Sequence, residues 1–418
     1  MTILEIAPSF EENIPQSNKT CRIFKTAWSS SEKGNNQYRC IDVNCALQNN
    51  RIMATKIKEV IHYLESWAPP GLQESYDNSG LIVGNKDNEV KGVLVALDCT
   101  EAVVDEAQRL NCNLIVAHHP IVFGGLKRLT GSNYVQRTVI KAIQNDIAIY
   151  AIHTNLDNIA TGVNAAMGEV LRVESSKILR PMHQKIWSLT VYVPFDHLEM
   201  VEKALFDAGA GAIGNYVECS FKMAGKGAFK PTANANPVLG SAGVREFVDE
   251  FKLEVMVPDW RRSWVQQAME LAHPYEVVAH QWTLIDNAHQ EVGAGMVGEL
   301  SEAMPILEFM QGVKDRFQLK MIKHTELCHE KVSKVAWCGG SGDFLLEDAI
   351  RSGAQVFVSA DFKYHRFFDH ESKIVILDIG HYETEKCVID LLNVAIGQKF
   401  TTFAVHKTGV NSNPVQYF

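Results

Sequence analysis

A strand–helix–strand unit that recurs without a gap constrains this fold more than any other feature. Residues 93–118 and 335–360 carry the two copies, 242 positions apart. In the first, Val93–Leu97 is a continuous apolar run. Ala102–Leu110 then places Val103, Ala107 and Leu110 at helical spacing, and Leu114–Ala117 is apolar again. In the second, Val335–Cys338 and Val356–Ser359 flank a helical face of Leu345, Leu346, Ala349 and Ile350. Only Val93, Ala107, Arg109 and Val116 match their partners in identity, so the repeat rests on pattern. Short apolar runs separated by helical periods predict a mainly parallel sheet covered on both faces. Beyond the unit, each copy reaches another strand that leads to histidine. Ala148–Ile152 precedes His153, and Ile374–Asp378 precedes His381. The chain therefore reads as an α/β protein with a duplicated core.

Between the halves lies an insert, and before them an extension. From about Lys185 to Asp286 the order is β-α-β, then β-α-β. Strands are expected at Trp187–Val193, Tyr216–Met223, Phe251–Val257 and Val277–Ile285, and helices at Leu198–Ala208 and Trp260–Ala272. A Gly/Pro/Asn-rich loop is expected over Gly225–Gly243. That order is the ferredoxin-like split unit, an α+β domain. Residues 1–52 are polar and aperiodic and are expected to be a disordered extension; Met53, just ahead of the helical face Ile57, Val60, Ile61 and Leu64, is an alternative start of translation. The divisions are 1–52, a first core half 53–184, an insert 185–290 and a second core half 291–418.

Composition narrows the function. A net charge of −9 disfavours nucleic acid, which needs a basic face. Nine cysteines without a CxxC pair fit reduced thiols in the cytoplasm. No run of 18 or more apolar residues exists, so no membrane span is expected.

The chemistry-bearing residues cluster at the ends of the expected strands, where open α/β sheets place their sites. His118-His119-Pro120 follows Ala117. His153-Thr154-Asn155-Leu156-Asp157 follows the next strand, and His381 and Glu385 lie four apart after Gly380. Each alone has an ordinary explanation: a polar loop, a turn or cap residue at Asp157, a solvated helical pair. Together they supply imidazoles and carboxylates for divalent cations. Alternation along a strand would aim His118 and His119 differently, which favours two neighbouring ions over one. Three further residues are candidate proton shuttles or groups orienting a ligand: His153, His365 and Asp98. Asp77-Asn78-Ser79-Gly80 reads as a turn or a loop lining the cleft. Asp361 reads as a helix cap. Gly339-Gly340-Ser341-Gly342, after a strand, could present N–H groups to a phosphate, although it lacks the Walker lysine.

As a set and in this order, the Asp77–Gly80, His118–Pro120, His153–Asp157, Gly339–Gly342 and His381–Glu385 segments resemble the Nif-three-like family, the GTP cyclohydrolase I type 2 homologues. Gly209–Tyr216 and His273–Glu276 resemble the longer bacterial members, which carry a PII- or CutA-like domain between the halves. The resemblance covers about residues 53–418. It implies a dinuclear metal centre in a toroidal homohexamer. His119 and Asp157 would ligate one ion, His118 and His381 the other, and Glu385 would bridge. The metals could be Zn, Mn, Fe, Ni or Co. The expected function is a metal-dependent hydrolase acting on GTP or a phosphoester as small-molecule substrate. The alternative is a non-catalytic, metal-binding regulatory assembly, suggested by the insert.

Overall fold

The computed structural model describes residues 54–418. The expectations for 1–52 and for Met53 lie outside the described residues. The first sheet joins β1 (Gly80–Val83), β4 (Ala148–Ala151), β3 (Leu114–Ala117), β2 (Gly92–Ala96) and β15 (Ala404–Lys407), in that order. The second joins β11 (Lys323–His324), β14 (Val375–Asp378), β13 (Val356–Ala360), β12 (Lys331–Ser341), β10 (His289–Pro305) and β5 (Glu174–Met182). Four strands run parallel in the first and three in the second, and in each an antiparallel strand closes one edge. The registers carry the repeat: Val93 pairs with Leu114, and Val335 pairs with Val356, each 242 positions further on.

Both faces of the central parallel strands are buried, which explains why those strands are apolar throughout rather than alternating. On one face of the first sheet, Val93, Val95, Leu114 and Val116 meet the helix Ile57–Trp67 through Val60 and Leu64. On the other, Leu94, Ala96, Ile115 and Ala117 meet Val103, Val104 and Ala107 of the helix Glu101–Arg109. Thr100 caps that helix by accepting from the Val103 N–H. The second sheet repeats the scheme, with Val335, Trp337 and Val356 on one face and Ala336, Cys338 and Phe357 on the other.

The halves are interlocked more deeply than a division in sequence suggests. The first half supplies β5 to the second sheet, and the second half supplies β15 to the first. Helices follow the same exchange. Met167 and Leu171 of Val163–Leu171 pack under the second sheet, where the Trp337 indole donates to the Asn164 carbonyl at 2.7 Å. Val388, Leu392 and Ile396 of Val388–Lys399 pack under the first. Each core therefore needs residues from both sides of the insert.

Residues 186–285 form a separate antiparallel sheet of β7 (Ser220–Phe229), β8 (Glu246–Pro258), β6 (Ile186–Pro194) and β9 (His280–Ile285), in that order. Two helices, Leu198–Asp207 and Arg262–Ala272, pack on one face through Val201, Leu205, Val265 and Met269. This is the strand order of the split βαβ unit. The loop expected over Gly225–Gly243 is shorter, because Gly225–Phe229 continues β7 in register with β8. The glycine is needed there: a Cβ on Gly227 would lie 2.1 Å from the Glu250 carboxylate that crosses it.

Candidate metal centre

The site is assembled where the parallel strands end. Past Ala117 the ladder to β2 continues for two residues, with His118 N–H donating to the Ala96 carbonyl and His119 N–H to the Leu97 carbonyl. The rings are thereby fixed at their roots. His153 follows β4, and Asp157 completes the short helix Thr154–Asp157. His381 and Glu385 open and close a helix of five residues just after β14, so their four-residue spacing puts both on one face.

Four imidazoles are each tied at Nδ1. His118 Nδ1–H donates to the Ile152 carbonyl at 2.8 Å. His119 bonds Asp98 at 2.7 Å, His153 bonds Asp77 at 2.8 Å and His381 bonds Asp361 at 2.6 Å. Such outer acceptors fix ring and tautomer and leave Nε2 as the lone-pair donor, the arrangement found around metal-ligating histidines. Inside this ring of anchors, Glu385 Oε2 lies 2.9 Å from His119 Nε2 and 3.1 Å from His381 Nε2. His118 Nε2 and Asp157 Oδ1 face one another at 3.5 Å. Both atoms are buried and lack a hydrogen-bond partner among the described residues. Burying two such groups unpaired is costly unless a cation sits with them. Two groups bring their ligand atoms within 4.8 Å of one another: His118, His119 and His153; and His119, His381 and Glu385. These His and Glu clusters are able to bind a metal ion.

Burial and close charges pull the titrations of these groups apart. Burial pushes His118 down to about 3, so it stays neutral and ligand-competent. Burial also opposes the charged forms of His119 and His381, but the neighbouring carboxylates outweigh it. Asp98 and Glu385 raise His119 to about 9, and Asp361 and Glu385 raise His381 to about 10. Burial, reinforced by the Glu385 charge, lifts Asp157 well above the usual carboxylate range. Glu385 moves the other way: its bonds to the two imidazoles overcome burial and hold it well below that range.

The structure sorts the candidates. His118, His119, Asp157, His381 and Glu385 converge, but His118 rather than His119 faces Asp157, and His119 shares Glu385 with His381. His153 joins the cluster itself, its ring 5.2 Å from that of His118. Asp98 is an anchor of His119. His365 is not brought in: it is exposed on the turn Tyr364–His370, its ring against Tyr364. Gly339–Gly342 is no phosphate cradle, because Gly339 N–H donates to Asn164 Oδ1 and Gly340 N–H to Thr384 Oγ1. Gly340 instead makes room for Glu385: at φ +61°, a Cβ there would lie 2.2 Å from Glu385 Oε1. Asp361, read as a cap, is the counterpart of His119 at the same offset and turns back onto His381. Asp77 is buried and also accepts from Thr154 and Ser79. Sequence offers one signal for these anchors: Asp98 and Asp361 both follow apolar strands.

The cluster opens into a cleft of about 1030 Å³, walled by Tyr76, Phe123, Tyr134 and Phe344. Fold and site thus define a duplicated α/β protein with imidazoles and carboxylates gathered at its strand ends. Comparison with known proteins gives the family. The chain belongs to the Duf34/NIF3 (NGG1p interacting factor 3) family, whose model matches residues 55–414. A GTP cyclohydrolase 1 type 2 homolog of Halalkalibacterium halodurans is 38% identical over 77% of this chain and 87% of its own. That of Bacillus subtilis is 35% identical over 85% and 94%. The crystal structure of a Bacillus cereus protein related to NIF3 superposes with a TM-score of 0.77 at 35% identity, covering 87% of this chain and all of that one. No helix among the described residues is long and apolar enough to cross a membrane.

Proposed function

We propose that the cluster is a dinuclear divalent-metal centre and that the protein is a hydrolase of a small molecule. His119 and His381 would hold one ion, His118 and Asp157 the other with His153 in reach, and Glu385 would serve both. The carrying observation is the buried pair His118 Nε2 and Asp157 Oδ1, which face each other with no partner among the described residues. Bound divalent cations supply Lewis acidity and lower the pKa of water. The protein's own part is to fix the rings through Asp98, Asp77 and Asp361, and to admit a substrate of nucleotide size to the cleft. The names of the relatives suggest GTP, and the chemistry suits a phosphoester equally.

The test is turnover of GTP and of phosphoester substrates by protein loaded with two metals per chain. Glu385→Gln should abolish turnover and leave the assembly intact. Absence of any turnover by the loaded protein would overturn the catalytic reading. A non-catalytic, metal-sensing assembly is the second reading, favoured by the separate sheet of residues 186–285. On it, metal removal alters assembly and no reaction is lost. Phe221 and Met223, exposed on the face of that sheet away from its helices, support self-association, and we assign a homohexamer working in the cytoplasm. Light scattering on the full chain tests the assembly.

A further inference from the structure

The three anchoring aspartates are not equally supported. Asp77 is held by its own surroundings: Thr154 N–H and hydroxyl, the Asn78 N–H and the Ser79 hydroxyl all donate to it. Asp98 has one other hydrogen-bonding side chain, and it comes from 314 residues further along the chain. Ser412 Oγ donates to Asp98 Oδ2 at 2.5 Å, while Asp98 Oδ1 receives His119 Nδ1–H at 2.7 Å. His119 Nε2 then lies 2.9 Å from Glu385. Hydroxyl, carboxylate, imidazole and ligand carboxylate form one continuous relay.

The delivery of Ser412 is itself built. β15 lies parallel to β2, Ala404 opposite Gly92 and Lys407 opposite Val95. Thr408 N–H extends the ladder to the Val95 carbonyl, and the Glu106 carboxylate receives the Thr408 hydroxyl and the Gly409 N–H. The chain then reaches Asp98 through Ser412 and, at the next residue, the other half. Asn413 Nδ2 donates to Glu383 at 2.9 Å, on the short helix that carries His381 and Glu385. Ser412 lines the main cleft. Asn413 lines a second cavity of about 370 Å³ behind His119 and His381. One strap of six residues thus bonds both the anchor of His119 and the helix that carries His381 and Glu385.

We propose that Thr408–Asn413 is a structural part of the metal centre, with Ser412 the positioning residue that fixes Asp98 and, through it, the ring of His119. The proposal rests on the metal reading above. It requires the ion held by His119 to depend on the strap, and the ion held by His118 and Asp157 to be independent of it. Loss of an outer hydrogen-bond partner of a metal ligand typically weakens affinity by about 10–100-fold.

The experiment uses the full chain, loaded with Zn and titrated against a chromogenic chelator. Wild type, Ser412→Ala and Ser412→Thr are compared, with urea midpoints recorded for each. Ser412→Ala should release one equivalent at about 10–100-fold lower chelator than wild type and keep the other unchanged. Ser412→Thr, which retains the hydroxyl, should restore both. An Ala variant that folds and releases both ions as wild type does would overturn the strap proposal alone. Equal loss of affinity in Ala and Thr would also overturn it, since the hydroxyl would then be irrelevant. Wild-type protein that retains no ion would overturn the metal reading and the strap together.

Discussion

Asp157→Asn separates a ligand from a structural carboxylate, because the two roles predict different outcomes with and without metal. In the metal-free protein Asp157 Oδ1 and His118 Nε2 are buried, unpartnered among the described residues and 3.5 Å apart. A buried polar atom without a partner costs about 1–3 kcal/mol. Burial and the Glu385 charge keep Asp157 protonated far above the usual range, so a neutral amide imitates its metal-free state. The protonated carboxyl and the amide can each donate to His118 Nε2, so the exchange is close to neutral without metal. Chelator-treated Asp157→Asn is therefore expected to match wild type within about 0.5 kcal/mol. The metal-dependent increment should fall. A ligand at 100 times its Kd stabilises by about 2.7 kcal/mol, and an amide that replaces an anionic ligand should remove most of that. Urea unfolding with chelator and with excess divalent cation measures both quantities. A variant destabilised in chelator, with its metal increment intact, would refute the reasoning.

Gly340→Ala should cost about 1–2 kcal/mol for its left-handed backbone and displace the Glu385 carboxylate, so metal content should fall while the circular dichroism spectrum is kept. The pH dependence has a defined sign. His119 and His381 stand near 9 and 10 in the folded metal-free chain, above the 6.5 of a free imidazole. Their stabilisation is complete below about 6.5 and is lost as pH rises through 9 to 10. Urea midpoints of chelator-treated protein should accordingly fall from pH 7 to pH 10, and those of loaded protein should not follow, because cations replace the protons. His365→Ala should leave metal content unchanged and stability within about 0.5 kcal/mol; a loss of metal would place that ring at the site after all.

Much of the core was legible because its determinants are local. Apolar runs of four or five residues, helical spacing between them and a constant offset predicted β2, β3, β12 and β13. The converging ligands were legible for the same reason: strand ends in a parallel sheet share one edge. What was hidden is non-local. Nothing in Glu174–Met182 announces a partner in His289–Pro305 across the insert, and Ala404–Lys407 gives no sign that it returns to the first sheet. The pairing of His118 with Asp157 depends on side-chain aim, which sequence spacing leaves open. Gly339 and Gly340 were misleading because a glycine that admits a phosphate and one that admits a carboxylate look alike in sequence. Ser412 had no signal at all, since its importance lies in the single carboxylate it reaches.

The central claim is that His118, His119, Asp157, His381 and Glu385 hold two cations. Elemental analysis of full-length protein purified without added metal, before and after reconstitution, tests it most directly. Two equivalents of divalent metal per chain are expected, falling in Glu385→Gln. No bound metal in the purified protein, with no gain on reconstitution, would contradict it.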